Sequence, residues 1–212
     1  QEEAAPGSLR EAVASLPCCS ASDIGQLLPE GLSYDCAIPK PRSSGQLVRL
    51  QGRVQLPADG AEPFSAPLSG KNCVVFSAAT SCWFHDDPVT VAFAEGHSDF
   101  VVCLLDAPQL LVHVSGADVS LFDLQAGSLA AGATLADAPA HWQDFVDRHR
   151  AAAFDDPRSM AAAAELEFSE RALLLGASVT LAGELWREAD GTLVLRPLRP
   201  VGGGVGRAEL WR

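Results

Sequence analysis

The chain has 212 residues and a formal net charge of −12, because 27 Asp and Glu outnumber 15 Lys and Arg, and its pI is near 4.7. Phosphate backbones and anionic head groups repel an acidic chain, which argues against nucleic acid as a partner and against direct binding to an anionic membrane. With 48% hydrophobic and 20% charged residues, the composition is that of a globular protein of one or two domains.

The first 45 residues predict a short helix followed by an irregular arm. Ser8 and Glu11 have the spacing of a capping box, and Pro17 ends the helix that they begin. Residues 18–45 contain three prolines and predict one helical turn near Asp23 within irregular chain. Residues 1–7 contain neither the basic region nor the apolar region of a targeting peptide, so we expect any targeting peptide to have been removed already.

Alternating apolar residues then predict an antiparallel sheet. Every second residue of the first predicted strand is apolar or glycine, the period of a strand with one solvated face: Val48, Leu50, Gly52, Val54 and Leu56. Turn sequences separate the further predicted strands, which are residues 73–83, 89–94, 100–105, 110–114 and 119–122. Short connections favour antiparallel neighbours.

A helical period appears in residues 139–150, where one face holds Trp142, Phe145, Val146 and His149. Asp156 followed by Pro157 predicts the start of a further short, Ala-rich helix. Strand sequences return at residues 165–175, 178–185 and 193–196, and the last two form a predicted hairpin with Asp190 and Gly191 at its corner.

Together these elements predict an α+β fold, an antiparallel, barrel-like sheet with two or three inserted helices. The predicted organisation has three parts: an N-terminal helix and arm at 1–45, the α+β domain at 46–200 and a glycine-rich tail at 201–212. The longest stretches without charge or histidine have 13 residues, at 72–84 and 124–136. A membrane-spanning helix needs about 20, so we expect no transmembrane segment.

The sequence predicts no metal, cofactor or catalytic residue. There is no CxxC pair, and no two histidines lie four apart on a predicted helix. Residues 65–72 have Ser65 in place of the first Gly and Asn72 in place of the final Ser or Thr of a phosphate-binding loop. The glycine run at 202–206 precedes no helix of the length that a dinucleotide site requires.

The six cysteines fall into two groups. Those within apolar runs are expected to be buried, namely Cys73, Cys82 and Cys103. Those in loop-like sequence can form one disulfide in an oxidising compartment, namely Cys18, Cys19 and Cys36. Cys82 also lies three residues before His85, the minimum for a thiolate nucleophile, but the two side chains meet only if a turn follows Phe84.

A resemblance to a known family is carried by short segments spread over residues 44–212. The opening motifs are Val48-Arg49-Leu50-Gln51-Gly52 and Ala66-Pro67-Leu68-Ser69-Gly70-Lys71-Asn72-Cys73, and the closing hairpin comprises residues 175–185 and 190–197. Trp142-Gln143-Asp144-Phe145 and Ala208-Glu209-Leu210-Trp211-Arg212 match a helix and a closing segment. These motifs resemble the GIDE domain, also called the BAM (beside a membrane) domain, of membrane-anchored E3 ubiquitin ligases.

The resemblance implies a binding module that works close to a membrane. The family's ligases also carry a cysteine-rich RING and membrane spans, and this sequence shows neither, so ligase activity is not implied. An isolated domain of a RING-type ligase remains an alternative, and a Cys/His-dependent enzyme is another.

We therefore expect a non-catalytic peripheral subunit or scaffold that docks on an organellar membrane protein complex. The Ala-rich, Lys-poor composition is typical of GC-rich coding and favours a plastid over a mitochondrion, with a photosynthetic complex as one candidate host. A local basic excess near the C-terminus suits acidic loops or head groups. The expected docking residues are Arg196, Arg199, Arg207, Trp211 and Arg212.

Overall fold

The computed structural model describes residues 13–27, 45–58, 62–84, 87–121, 124, 126–154 and 165–197. The described chain divides into two compact units. The barrel unit comprises the described parts of Gln1–Pro57, Asp99–Ser120 and Ser178–Arg212. The sheet unit comprises those of Ala58–Ser98 and Leu121–Ala177, which interrupt the barrel unit along the chain.

Ten strands and two helices have both of their ends within the described residues, together with 3-10 turns at Gly116–Asp118 and Ala152–Phe154. The helices are α1 (Ala21–Leu27) and α2 (Ala140–His149). The strands are β1 (Gln46–Gln55), β2 (Phe64–Ser65), β3 (Asn72–Phe84), β4 (Asp87–His97), β5 (Phe100–Leu104), β6 (Leu111–Val114), β7 (Ser128–Ala133), β8 (Leu166–Leu174), β9 (Ser178–Arg187) and β10 (Leu193–Arg196).

The barrel unit is a closed five-stranded barrel with the strand order β1-β5-β6-β10-β9. All neighbours are antiparallel except β10 and β6, which are parallel. If the barrel strands are numbered one to five along the chain, the order is 1-2-3-5-4 with strands three and five parallel. The prediction of a barrel-like, mostly antiparallel α+β fold is confirmed.

The first and last long strands of the barrel unit, β1 and β9, close this barrel. β1 and β9 pair over eight residues, from Gln46 opposite Leu185 to Arg53 opposite Ser178. Gly183 lies opposite Val48, and a Cβ atom at Gly183 would lie 2.5 Å from the carbonyl oxygen of Arg196 on β10. The glycine is therefore required by the close approach of two strands at the closure of the barrel.

Part of the N-terminal arm is anchored to β1. The Arg49 amide donates to the Pro17 carbonyl at 3.3 Å, and the Cys19 amide donates to the Arg49 carbonyl at 2.9 Å. The Ser20 amide donates to the Asp23 carboxylate at 2.8 Å, and the Asp23 amide donates to the Ser20 hydroxyl at 3.3 Å, a reciprocal pair that caps α1, the helical turn predicted near Asp23. Residues 13–15 are helical, whereas the predicted start of that helix lies outside the described residues.

The sheet unit has five strands in the order β2-β3-β8-β7, with β4 also paired to β3. One face of this sheet, here called the inner face, packs against α2 through an apolar core. Alternation places even-numbered residues of β3 and β8 on the inner face, and its core includes Ala78, Cys82, Phe145, Val146 and Phe168. The opposite face is called the outer face.

One predicted strand was wrong in the described part of the chain. Residues 119–121 form no strand, because the Val119 amide donates to the Gly116 carbonyl at 3.3 Å and closes the preceding 3-10 turn. β7 was not predicted, because Ala and Gly dominate Ser128–Ala133 and give no apolar alternation.

His149 is exposed at the end of α2, with its ring 5.2 Å from that of Phe145. The predicted helix at Asp156 and the glycine-rich tail lie outside the described residues.

Candidate functional site

A buried carboxylate holds one turn of the sheet unit in place. Glu170 lies on the inner face of β8 between Phe168 and Ala172 and is only 2% exposed. Its Oε2 accepts the Leu68 amide at 2.7 Å and the Ser69 amide at 3.4 Å. Both donors belong to the turn at residues 66–70, so Glu170 ties β8 to the chain that leads into β3.

The first residues of α2 contact the turn at residues 66–70 through side-chain hydrogen bonds. The Leu68 carbonyl accepts the indole N–H of Trp142 at 2.8 Å, and the ring nitrogen Nε2 of His141 lies 2.9 Å from the same oxygen. The Trp142 ring packs on Phe168 with 4.7 Å between ring centroids. We call Leu68, His141, Trp142 and Glu170 the Leu68 clamp.

A cleft of about 410 Å³ lies beside the Leu68 clamp. Its polar groups are engaged within the protein, because Glu170, His141 and Trp142 all bond the Leu68 turn. Glu170 Oε1 has no hydrogen-bond partner among the described residues and has almost no exposed surface. We therefore assign the clamp to the fold rather than to a ligand.

The clamp carboxylate also affects a neighbouring thiol. Burial, and to a smaller extent the negative charge of Glu170, raises the pKa of Cys73 from its ordinary 9.0 to about 11. Cys73 is fully buried on β3. At neutral pH the thiol is thus protonated and enclosed, which are not the properties of a reactive cysteine.

The outer face of the sheet presents a different surface. Trp83, at the end of β3, is 60% exposed, and its indole N–H donates to Glu167 Oε1 at 2.9 Å. A groove of about 440 Å³ adjoins the ring and is lined by Ser81, Trp83, Ala130, Ala131, Gly132, Glu165, Glu167, Phe168 and Ser169. We call it the Trp83 groove. Its lining contains two carboxylates and no basic side chain, so it is suited to a cationic group.

One side of the Trp83 groove is formed by an edge strand. β7 pairs with β8, from Ser128 opposite Arg171 to Ala133 opposite Leu166, and no other strand in the described residues pairs with it. Native proteins protect edge strands with charges, prolines or bulges. The six residues of β7 include no charge and no proline. Within the part of the chain that the structure describes, this edge is therefore open to a further strand.

The predicted docking residues are only partly described. Arg196 forms an ion pair with Glu188 at 2.8 Å, and its guanidinium lies over the Trp186 ring, 4.7 Å from the centroid. Its charge is therefore matched inside the β9–β10 hairpin. The other four predicted docking residues lie outside the described residues, namely Arg199, Arg207, Trp211 and Arg212.

The structure describes five of the six cysteines. Cys73, Cys82 and Cys103 are buried as expected, and burial raises the pKa of Cys82. Cys18 and Cys19 are free thiols. Cys36 and His85 lie outside the described residues. Within the described ranges, no cluster of three or more His, Cys, Asp or Glu is placed to hold a metal ion.

Sequence reasoning missed both Glu170 and Trp83, although each left a signal. Glu170 occupies an inward position in the alternation of Leu166, Phe168 and Ala172, where an acid is costly unless it is hydrogen-bonded. Trp83 follows the small outward residues of β3 and is the first large side chain on that face.

Comparisons of the chain with protein-family models, with curated proteins and with solved structures found no match. None of the helices in the described ranges has the length and apolar character needed to cross a membrane.

Proposed function

We propose that this chain is a non-catalytic subunit that docks on an organellar membrane protein complex through the Trp83 groove. The observation that carries the proposal is the exposure of Trp83, 60% of whose surface is open beside the carboxylates of Glu165 and Glu167. Exposed Trp residues at grooves with a polar border are typical of the anchor residues of protein interfaces.

The orientation of Trp83 favours binding. Because Glu167 holds the indole N–H at 2.9 Å, the ring is already positioned and loses little side-chain freedom when a partner covers it. A groove of this kind supplies contact area and orientation but no activated nucleophile. That combination supports a binding role.

The membrane complex as host is supported by two features of the sequence. The resemblance to the GIDE domain implies work beside a membrane, and the net charge of −12 disfavours anionic lipid head groups as the direct contact. We therefore place the contact on a protein of the complex, in a plastid in the first instance, with a photosynthetic complex as a candidate host.

The experiment is native purification of the tagged protein from organellar membranes in mild detergent at low salt. We expect the wild-type protein to co-sediment with a large complex, and Trp83→Ala to move most of it to the free fraction. Phe93→Ala is the matched control, because Phe93 is an exposed aromatic on β4 that does not line the groove. Recovery of the wild-type protein as a free monomer would contradict the proposal.

The sequence leaves two alternatives, a Cys/His-dependent enzyme and an isolated domain of a RING-type ligase. Cys82 is buried on the inner face with a raised pKa, which does not favour a thiolate enzyme. The ligase alternative predicts a cysteine-rich segment in the full-length transcript.

A further inference from the structure

We propose that the docking partner contributes an extended basic segment, which adds as a further strand to the free edge of β7 and places cationic side chains in the Trp83 groove. This inference rests on the proposed function and names the class of partner that the groove accepts. Strand addition supplies main-chain hydrogen bonds, and pockets for alternate side chains supply specificity.

The first argument is the chemistry of the edge. β7 reads Ser128-Leu129-Ala130-Ala131-Gly132-Ala133 and has none of the charges or prolines that protect exposed edges. An unprotected neutral edge of this length favours aggregation unless it is covered. A partner strand would cover it.

The second argument is the size of the outward residues of β7. The antiparallel register pairs Ala130 with Ser169 and Gly132 with Glu167, so all four point to the outer face. Strands in a sheet lie about 4.8 Å apart, which puts β8 within about 10 Å of an added strand. Ala130 and Gly132 are small, and a Cβ atom at Gly132 would lie 3.0 Å from Oε1 of Glu165, so a long side chain that crosses β7 there meets the Glu165 carboxylate before it reaches Glu167.

The third argument is charge. Glu165 and Glu167 lie on the groove beside the exposed ring of Trp83, and the groove lining includes no lysine or arginine. Carboxylates next to an aromatic face favour a Lys or Arg side chain, which can pair with the acids and lie over the ring. An acidic segment would be repelled at the same place.

The test uses a synthetic peptide of about eight residues that alternates Thr or Val with Lys, a length that covers the six residues of β7. Fluorescence anisotropy of the labelled peptide measures binding to the intact chain at low salt. Two further peptides carry N-methyl groups on alternate backbone amides, one in each register. N-methylation removes hydrogen-bond donors and keeps the charge, so it separates strand addition from simple attraction.

We expect the lysine peptide to bind and one of the two N-methylated peptides to bind at least about tenfold more weakly than the other. Every second amide of β7 should show slower hydrogen exchange when the peptide is bound. The double variant Glu165→Gln/Glu167→Gln should weaken binding by about tenfold. Glu95→Gln is the matched control, because Glu95 is exposed on the same outer face of β4 away from the groove and should leave binding unchanged.

Several results would overturn the inference. Equal binding by both N-methylated peptides, unchanged exchange in β7, or no binding of the lysine peptide would each reject strand addition. Protection of the β7 edge in the monomer without peptide would assign the edge to another segment of this chain, and protection that rises with protein concentration would assign it to a second copy. Equal binding of a glutamate-for-lysine peptide would reject the basic partner.

Failure here is distinguishable from failure of the proposed function. If Trp83→Ala releases the protein from the native complex while no peptide binds, docking stands and the extended basic segment does not. If the peptide binds as expected while the wild-type protein is recovered free of any complex, strand addition by a basic segment stands and docking on a membrane complex does not.

Discussion

Leu68 and Glu170 lie 102 positions apart in the sequence, yet the amide nitrogen of Leu68 is only 2.7 Å from the carboxylate oxygen Oε2 of Glu170. The bond is buried and joins β8 to the turn that leads into β3. A buried amide that loses its acceptor retains the full cost of its desolvation. This one contact therefore fixes how two distant segments of the sheet unit meet.

We expect Glu170→Ala to lower the free energy of unfolding by about 2 to 3 kcal/mol, because it leaves the Leu68 and Ser69 amides without their acceptor. Glu170→Gln should cost less, since an amide oxygen can still accept one of these bonds. Urea unfolding followed by circular dichroism measures both. Glu167→Ala on the exposed side of the same strand is the control and should change stability by less than about 1 kcal/mol. Equal losses for the two alanine variants would refute the clamp.

The surroundings of Gly183 and Gly25 predict that alanine substitutions at these two positions change stability in opposite directions. A Cβ atom at Gly183 meets the backbone oxygen of Arg196 at 2.5 Å, so Gly183→Ala should destabilise the protein by about 1 to 3 kcal/mol. Gly25 lies in α1 with nothing within 4 Å of a Cβ atom, so Gly25→Ala should stabilise it by about 0.5 to 1 kcal/mol. Thermal unfolding of the two variants tests the pair. A stable Gly183→Ala variant would contradict the close approach of β9 and β10.

The raised pKa of Cys73 predicts a loss of stability in alkali. Its pKa is 9.0 in an unfolded chain and about 11 in the folded protein, so the folded state holds this proton more tightly. The stability that this protonated thiol contributes is complete below pH 9. As the pH rises from 9 towards 11, the free energy of unfolding falls by roughly 2 to 3 kcal/mol. Urea unfolding of the wild type and of Cys73→Ala between pH 8 and pH 11 measures it. The difference between the two proteins should shrink across this range, and a constant difference would contradict the assignment.

Thiol labelling at neutral pH should separate the cysteines by burial. We expect Cys18, which is exposed, to react readily in the folded protein. Cys73, Cys82 and Cys103 are buried and should react only after unfolding. Mass spectrometry of labelled peptides identifies the sites. Fast reaction of Cys82 under native conditions would revive the Cys/His enzyme alternative.

Much of the fold follows from local patterns. The alternation in β1 and β9, the Asp190-Gly191 corner and the amphipathic face of α2 each lie within a few consecutive residues, and the structure has all of them where the sequence predicts. Gly191 has φ +91°, as a tight turn at that corner requires. β7 has no such pattern and forms because β8 offers it a partner.

The candidate site was much less accessible to prediction. The sequence pointed to the basic tail, of which Arg196 is matched by Glu188, and it did not single out Trp83. The groove exists because β7, β8 and β3 lie side by side, which brings Gly132, Glu167 and Ser81 into one row from three separate segments. No spacing along the chain encodes that row.

By itself, the sequence determined the acidity of this protein, the period of its strands and the burial of three of its cysteines, because charge and alternation are local properties of the chain. Only the tertiary structure decided the closure of the barrel, the neutral edge of β7 and the meeting of Trp83 with Glu167. Each of these depends on which distant strands become neighbours, because the pairing register then sets which residues lie beside one another on one face of the sheet.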